Sequence, residues 1–327
     1  MKPKILLTRL IPDSALRALQ EECEVIVWNH EEKPVSKDFL EENIKDVDGL
    51  YCLLTDQIDK NLLSKAAKLK IISTMAVGYN HIDVEEATAR GIWVTNTPEV
   101  LTETTADLTF ALLLATARRL VEGSTYLREG KWDTWSPMLL AGRDVFGSTL
   151  GVIGMGRIGE SVVRRAKGFE MNILYHNRSR KHEIEEKYNV EYTSLNELLK
   201  RSDFIVIMTP YTNETANLIS MEQLKRMKKT SILINTARGG IVNEHDLYEA
   251  LKQEIIWAAG LDTFEQEPMP TDHPLLTLPN VVTLPHIGSA TIETRTKMAH
   301  LAADNLLHGL QGRKPPCLIN PEALIKN

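Results

Sequence analysis

From residue 4 to about residue 98, short apolar runs alternate with stretches whose apolar residues recur every three or four positions. The runs at 5–8, 25–28, 49–54, 71–75 and 93–96 predict strands. The stretches at 14–22, 37–43, 60–67 and 84–90 predict helices between them. Strict alternation of the two periods argues for a parallel sheet covered by helices on both faces. Pro98 interrupts the pattern, and residues 102–120 then read as one helix that is apolar nearly all the way round, which implies burial between other elements.

A second alternating block starts at Thr149. Runs at 150–153, 172–176, 204–208, 231–235, 257–261 and 281–284 predict six strands, with helices at 160–167, 195–200, 221–226 and 243–251. The remaining 289–310 reads as one more long helix, followed by a polar tail. Lying past the sixth strand, it is expected to cross back and complete the first lobe. The predicted fold class is α/β, with two doubly wound parallel-sheet lobes. One domain is discontinuous, 1–98 plus 289–327, and the other, 99–288, is inserted in it.

The sharpest local pattern is TLGVIGMGRIG at 149–159. An apolar run enters Gly154-Met155-Gly156-Arg157-Ile158-Gly159 and a helical pattern leaves it, the context in which G-x-G-x-x-G reads as a dinucleotide site. Gly154 permits the tight turn, Gly156 lets a pyrophosphate approach the backbone, and Gly159 lets the helix pack close to the strand. The first helical amides and the helix dipole then face the phosphates. A ribose-reading acid is expected about 20 residues further on. That place holds Asn177, followed by Arg178-Ser179-Arg180-Lys181. A carboxylate there would accept from the 2′-hydroxyl of NAD and repel a 2′-phosphate, whereas an amide with a basic cluster favours NADP.

Composition narrows the class further. The chain has 327 residues, enough for about two domains with separate cores. A net charge of −6 offers no general attraction to nucleic acid or to an anionic membrane. Cys23, Cys52 and Cys317 are too few and too scattered for a disulfide framework or a metal site. The first apolar run is too short for a signal peptide, and the longest, 108–117, is too short to span a bilayer. A cytoplasmic location is expected.

Three loops after predicted strands carry candidate chemistry. Thr236-Ala237-Arg238-Gly239-Gly240 sets a cation and two glycines beyond one strand, suited to gripping an anionic substrate. Asp262, Glu265, Gln266 and Glu267 follow the next strand, and residue type alone does not choose among them. His286 follows the last, and its ordinary pKa near ~6.5 suits proton transfer at neutral pH. Hydride transfer to a ketone needs a proton donor, a cation that orients and polarises the substrate, and a carboxylate that supports the imidazolium. In the first lobe, Met75-Ala76-Val77-Gly78-Tyr79-Asn80 breaks at a glycine beyond a strand end, where free amides could hold a carboxylate. Trp132 and Trp135 stand in a turn-rich segment and are interface candidates.

With these residues in place, TLGVIGMGRIG, NTARGGIVNEHDLYEAL, AAGLDTFEQEP and LPHIGSAT together resemble the signatures of the D-isomer-specific 2-hydroxyacid dehydrogenases over nearly the whole chain. NTPEVLTETTADLTFALLLATARR and DHPLLTLPNVVTLPHIGSAT most resemble the glyoxylate/hydroxypyruvate reductase branch, which includes 2-ketogluconate reductases. The resemblance implies a Rossmann NAD(P)-binding domain inserted in a flavodoxin-like substrate domain, an active site in the cleft, and a homodimer held largely through the nucleotide lobe. It also implies that His286 is the acid/base, Glu267 its carboxylate partner and Arg238 the ligand of the substrate carboxylate and carbonyl, and that the amides of Val77 and Gly78 grip the carboxylate. Arg157 and Ile158 would meet the pyrophosphate, and Thr209, Pro210, Thr236 and Asp262 would line the cofactor. Asn177 and Arg178 depart from the acid of NAD-using members and favour NADPH; Gln266 replaces a common Pro. Expected activity is NADPH-dependent reduction of a small 2-oxo acid to the D-2-hydroxy acid. The rivals are a dinucleotide-sensing, corepressor-like binding protein and a phosphoglycerate dehydrogenase-like enzyme. The 75–80 segment lacks the extra basic residues that the latter would want.

Overall fold

The structure, a computed structural model of the chain, describes residues 2–325, with the backbone alone at Ile325. Contacts divide it into two compact units, one running to Leu101 and resuming at Ala290, the other spanning Thr102–Ser289.

In the first unit the chain runs β1 (Lys4–Leu7), α1 (Asp13–Glu22), β2 (Glu24–Val27), α2 (Lys37–Asn43), β3 (Gly49–Cys52), α3 (Lys60–Lys65), β4 (Ile71–Thr74), α4 (Val84–Ala89) and β5 (Trp93–Thr95). The strands form one parallel sheet in the order β2-β1-β3-β4-β5, the flavodoxin-like arrangement. β3 and β4 are buried at every residue, as strands covered on both faces must be. Side chains close three of the helix starts: Ser36, Asp59 and Asp83 each accept from an amide three residues on.

The second unit opens with α5 (Thr102–Ala117) and α6 (Leu120–Arg128). It continues through β6 (Thr149–Ile153), α7 (Arg157–Lys167), β7 (Asn172–His176), α8 (His182–Tyr188), β8 (Glu191–Tyr192), α9 (Leu195–Arg201) and β9 (Phe204–Ile207). Then come α10 (Met221–Leu224), β10 (Ile232–Asn235), α11 (Glu244–Lys252), β11 (Ala258–Leu261) and β12 (Val281–Thr283). Seven parallel strands lie in the order β12-β11-β10-β9-β6-β7-β8. β6 therefore has the later β9 on one side and β7 on the other, which puts the topological switch point at its carboxyl end. α5 is buried against this sheet, where Gly260 of β11 leaves room for Leu112 and Thr116.

Two features of this unit differ from the sequence expectation. The apolar run predicts one helix over 102–120, but Arg119 takes a left-handed φ of 53° and a second helix, α6, starts beyond it with no buried residue. The sheet has a seventh strand, the two-residue β8, reached through α8, whose seven residues rest on the core only through Ile184 and Tyr188, too short a pattern to predict.

After the second unit, α12 (Ile292–Leu310) packs on the sheet of the first. Tyr51 donates from its hydroxyl to the Ala299 carbonyl at 3.3 Å, and Ser73 to the Ala302 carbonyl at 2.8 Å. Leu306 lies directly over Gly49. Among the described residues no helix is long and apolar enough to cross a membrane.

Candidate active site

Every strand of the second unit ends at one edge of its sheet, and six of the loops leaving that edge hold the residues singled out above. The loop after β6 is shaped by its glycines. Gly154 has φ of 101°, and a Cβ there would come within 2.8 Å of the Met208 carbonyl and the Thr209 amide. A Cβ on Gly159 would sit 2.3 Å from the Gly154 carbonyl oxygen, so only glycine lets α7 approach the turn this closely. Gly156, which caps α7, is exposed and has nothing within 4 Å of where its Cβ would stand. That open space at a helix N-terminus has room for a pyrophosphate and the amides that suit one. Arg157 is exposed beside it and Ile158 half-buried.

The loop after β7 joins this turn. Asn177 accepts from the Met155 amide through Oδ1 at 3.4 Å and donates through Nδ2 to the Ser179 carbonyl at 2.9 Å. Arg178 and Ser179 are exposed. Thr209 and Pro210 follow β9, and the Pro210 carbonyl accepts from the Thr215 hydroxyl at 2.8 Å.

The loop after β10 is held by Asn235, which is buried at the strand's last residue. Its Nδ2 donates to the Arg238 carbonyl and its Oδ1 accepts from the Ala237 amide. Thr236, also buried, shares a 2.6 Å hydrogen bond with Thr109 of α5. Sequence reasoning missed Asn235, although an amide ending an otherwise apolar strand was its signal. Gly239 lies directly on the next loop, because a Cβ there would be 1.9 Å from the Phe264 carbonyl carbon. The Arg238 loop and the acidic loop thus share one backbone-to-backbone contact.

The acidic loop after β11 separates the four candidates that residue type left open. Glu265 is exposed, and its amide donates to Glu244 Oε1 at the start of α11 at 2.6 Å, tying the loop down. Gln266 is exposed. Glu267 turns inward: Oε1 accepts from the Phe264 amide at 2.9 Å, and Oε2 lies 2.6 Å from His286 Nδ1. His286, after β12, has a left-handed φ of 54°, uncommon for a residue with a Cβ and often found where function constrains the chain. Histidine and glutamate side chains are each 23 % exposed, so the pair is sheltered and still reachable.

Electrostatics follow from this packing. Burial pushes the Glu267 carboxyl up, but the His286 hydrogen bond and charge, the Phe264 amide and the Arg238 cation outweigh it and leave the carboxyl below the ordinary glutamate range. Burial lowers the pKa of the Arg238 guanidinium while Glu267 raises it. Asp262 is fully buried; its Oδ1 accepts from the Ile287 amide, and its Oδ2 has no partner among the described residues. Burial pushes its pKa up to about 6, against the amides of Ile287 and Gly288 and the His286 charge. A buried acceptor without a donor is costly, and it fits a ligand amide that would supply one. With the open space at Gly156, it shows that the residues present suit a nicotinamide dinucleotide.

Residues 110–288 match the family model described as D-isomer specific 2-hydroxyacid dehydrogenase, NAD binding domain. The chain belongs to the D-isomer-specific 2-hydroxyacid dehydrogenases. It is 53 % identical over 325 residues to a glyoxylate reductase of Korarchaeum cryptofilum, covering 99 % of this chain and 98 % of that one. Among solved structures, a protein of Thermus thermophilus superposes with a TM-score of 0.90 at 46 % identity, covering 97 % of this chain and 99 % of that one. An NADPH-dependent glyoxylate/hydroxypyruvate reductase of Sinorhizobium meliloti, solved with NADP and malonate, gives 0.86 at 33 % identity, covering 99 % and 98 %. This family member is accordingly an oxidoreductase that works with a nicotinamide dinucleotide.

Val77 and Gly78 lie in the first unit, half-buried just past β4, where the Val77 carbonyl accepts from Asn96 Nδ2 at 2.8 Å.

Asp262 yields a prediction for pH. Its folded pKa lies above the ordinary 3.8, so ionising it costs stability that is intact below about pH 4 and is lost as pH rises through about 6. Asp262→Asn should therefore melt progressively higher than the parent as pH rises from 4 to 7, by calorimetry without coenzyme. A constant difference across that range would show that Asp262 is ordinary.

Proposed function

We propose that this dehydrogenase uses NADPH to reduce a small 2-oxo acid, such as glyoxylate, hydroxypyruvate or 2-ketogluconate, to the D-2-hydroxy acid, with His286 as proton donor. The observation that carries the reading is the 2.6 Å hydrogen bond between His286 Nδ1 and Glu267 Oε2, with the Arg238 cation close enough to bias the same carboxylate. An ionised Glu267 accepts a hydrogen bond from Nδ1–H, which fixes the imidazole's orientation and leaves Nε2 to exchange a proton with substrate. When bound, the reduced nicotinamide supplies the hydride that C2 of the oxo acid accepts. Protonated His286 donates from Nε2 to the carbonyl oxygen as charge develops there, and its resulting neutral form is reprotonated from solvent. Arg238 orients the carboxylate and polarises the carbonyl. Val77 and Gly78 add backbone amides for the carboxylate on the strength of the resemblance alone. On the same reading residues 99–288 bind the dinucleotide and 1–98 with 289–327 the substrate.

Gly154, Gly156, Arg157, Ile158 and Gly159 receive the pyrophosphate, while Thr209, Pro210, Thr236 and Asp262 line the nicotinamide side. Asn177, Arg178 and Ser179 meet the ribose, and the absence of an acid there favours the 2′-phosphate of NADPH. Exposed apolar side chains between 120 and 146, including Leu127 (58 %), Trp135 (75 %) and Met138 (77 %), support a homodimer through the second unit. Cys23, Cys52 and Cys317 are all free thiols, which suits a reducing cytoplasm.

Three measurements test the reading. Purified protein should oxidise NADPH with at least one of the three oxo acids, and His286→Ala should lower kcat by about a hundredfold to ten-thousandfold with coenzyme affinity retained. Wild-type turnover in that variant would remove His286 from the mechanism. Arg178→Ala should raise the KM for NADPH far more than that for NADH; equal effects would end the argument for NADPH. Sedimentation equilibrium should return twice the chain mass, and a monomer would overturn the dimer.

A further inference from the structure

Four cationic or hydroxyl side chains follow Asn177 in sequence, but the structure does not leave them equivalent. Arg180 is taken up by Glu185 of α8 in a two-pronged ion pair, Nε to Oε1 at 2.8 Å and Nη2 to Oε2 at 2.7 Å. Its guanidinium also lies over the Tyr192 ring, 5.7 Å from the centroid. Glu185 Oε1 accepts from the Tyr175 hydroxyl at 2.6 Å, and that hydroxyl in turn accepts from the Lys181 amide at 2.7 Å. The Tyr192 hydroxyl donates to the Asn177 carbonyl at 3.3 Å. Both ends of the 177–181 loop are therefore fastened to one carboxylate and two tyrosines, with Tyr175 fully buried. By contrast, the side chains of Arg178 and Ser179 are exposed and hydrogen-bond to nothing among the described residues.

We propose that Glu185 is a positioning residue for coenzyme choice: it withdraws Arg180 from the coenzyme and stiffens the loop, so that Arg178 and Ser179 are the groups presented to a ribose 2′-phosphate. This rests on the NADPH reading above. A bidentate guanidinium–carboxylate pair is rigid and directional, and a loop already in its binding shape spends less conformational entropy on its ligand. The low-exposure Glu185 carboxyl, 14 % accessible, anchors a half-exposed Arg180, 53 % accessible, so the pair is set from the protein side. Held well down by Arg180 first and then by the Tyr175 hydroxyl, at about 2, the carboxyl stays ionised throughout the working range.

The obvious rival makes Arg180 itself a phosphate ligand that Glu185 merely holds in reserve. The two ideas give opposite signs for one substitution. If Glu185 positions the loop, Glu185→Gln, which keeps the shape of the side chain, weakens NADP⁺ binding in a fluorescence or calorimetric titration, and Glu185→Ala weakens it by about tenfold. NAD⁺ affinity and kcat at saturating NADPH stay near the parent's, which a merely structural defect would not allow. The double variant Arg180→Ala with Glu185→Ala binds NADP⁺ no worse than either single one, because the two residues act as a unit. If Arg180 is the ligand instead, Glu185→Gln frees it and NADP⁺ binds more tightly, which overturns the proposal; unchanged NADP⁺ affinity in Glu185→Ala does so equally. Arg178→Ala, titrated alongside, separates the two layers. Should it lose NADP⁺ and NAD⁺ alike, the NADPH reading fails; should it lose NADP⁺ alone while the Glu185 variants lose neither, only the positioning role fails.

Discussion

Parallel pairing is the constraint on which the second unit depends. Parallel strands cannot be joined by tight turns, so each must be followed by a crossover that returns the chain to the same starting edge. All seven strands then run the same way, and every loop that leaves a carboxyl end emerges on one side. The glycine turn, the Asn177 loop, the Arg238 loop, the acidic loop and His286 come from stretches more than 130 residues apart in the chain, from Gly154 to His286, and share that side as a result of topology alone. Local packing then supplies what topology cannot. Gly239 on the Phe264 backbone and Glu244 on the Glu265 amide set the height of the acidic loop, and with it the reach of Glu267.

The alternation of strand and helix periods carried most of the fold, because a fully covered strand and an amphipathic helix differ in period and length. What escaped it was too short for a period to show, although Ile184 and Tyr188 of α8 do pack on the core. α8 buries no residue and β8 is two residues long; both are held by neighbours, through contacts such as Tyr175 with Glu185 and the packing of Tyr175 against Tyr192. The stop at Arg119 is a backbone event in a residue with no turn-forming preference, so an apolar run spanning it reads as continuous.

The chemistry was legible in a different proportion. His286 and Arg238 stand at strand ends, which a pattern of apolar runs can locate. Which acid faces the histidine depends on a turn of six residues in which Asp262 points under the Gly288 backbone, Glu265 outward and Glu267 toward the imidazole. No period encodes that choice, and residue type leaves it open. The basic cluster after Asn177 shows the same limit from the other side. Charge counts Arg178 and Arg180 alike, and only the position of Glu185, five residues beyond Arg180 on an unforeseen helix, divides them.

The return of α12 to the first sheet has a consequence for how the protein comes into being. β5 ends at Thr95, and the helix that covers Tyr51, Ser73 and Gly49 does not begin until Ile292. At roughly 5–20 residues per second, a ribosome takes roughly 10–40 s to cross that interval. Throughout it the nascent first sheet lacks the helix that covers these residues, while the second unit is still being made. The unit that is first in sequence is therefore the last to be completed, and the vulnerable moment for aggregation lies in synthesis rather than in the finished enzyme.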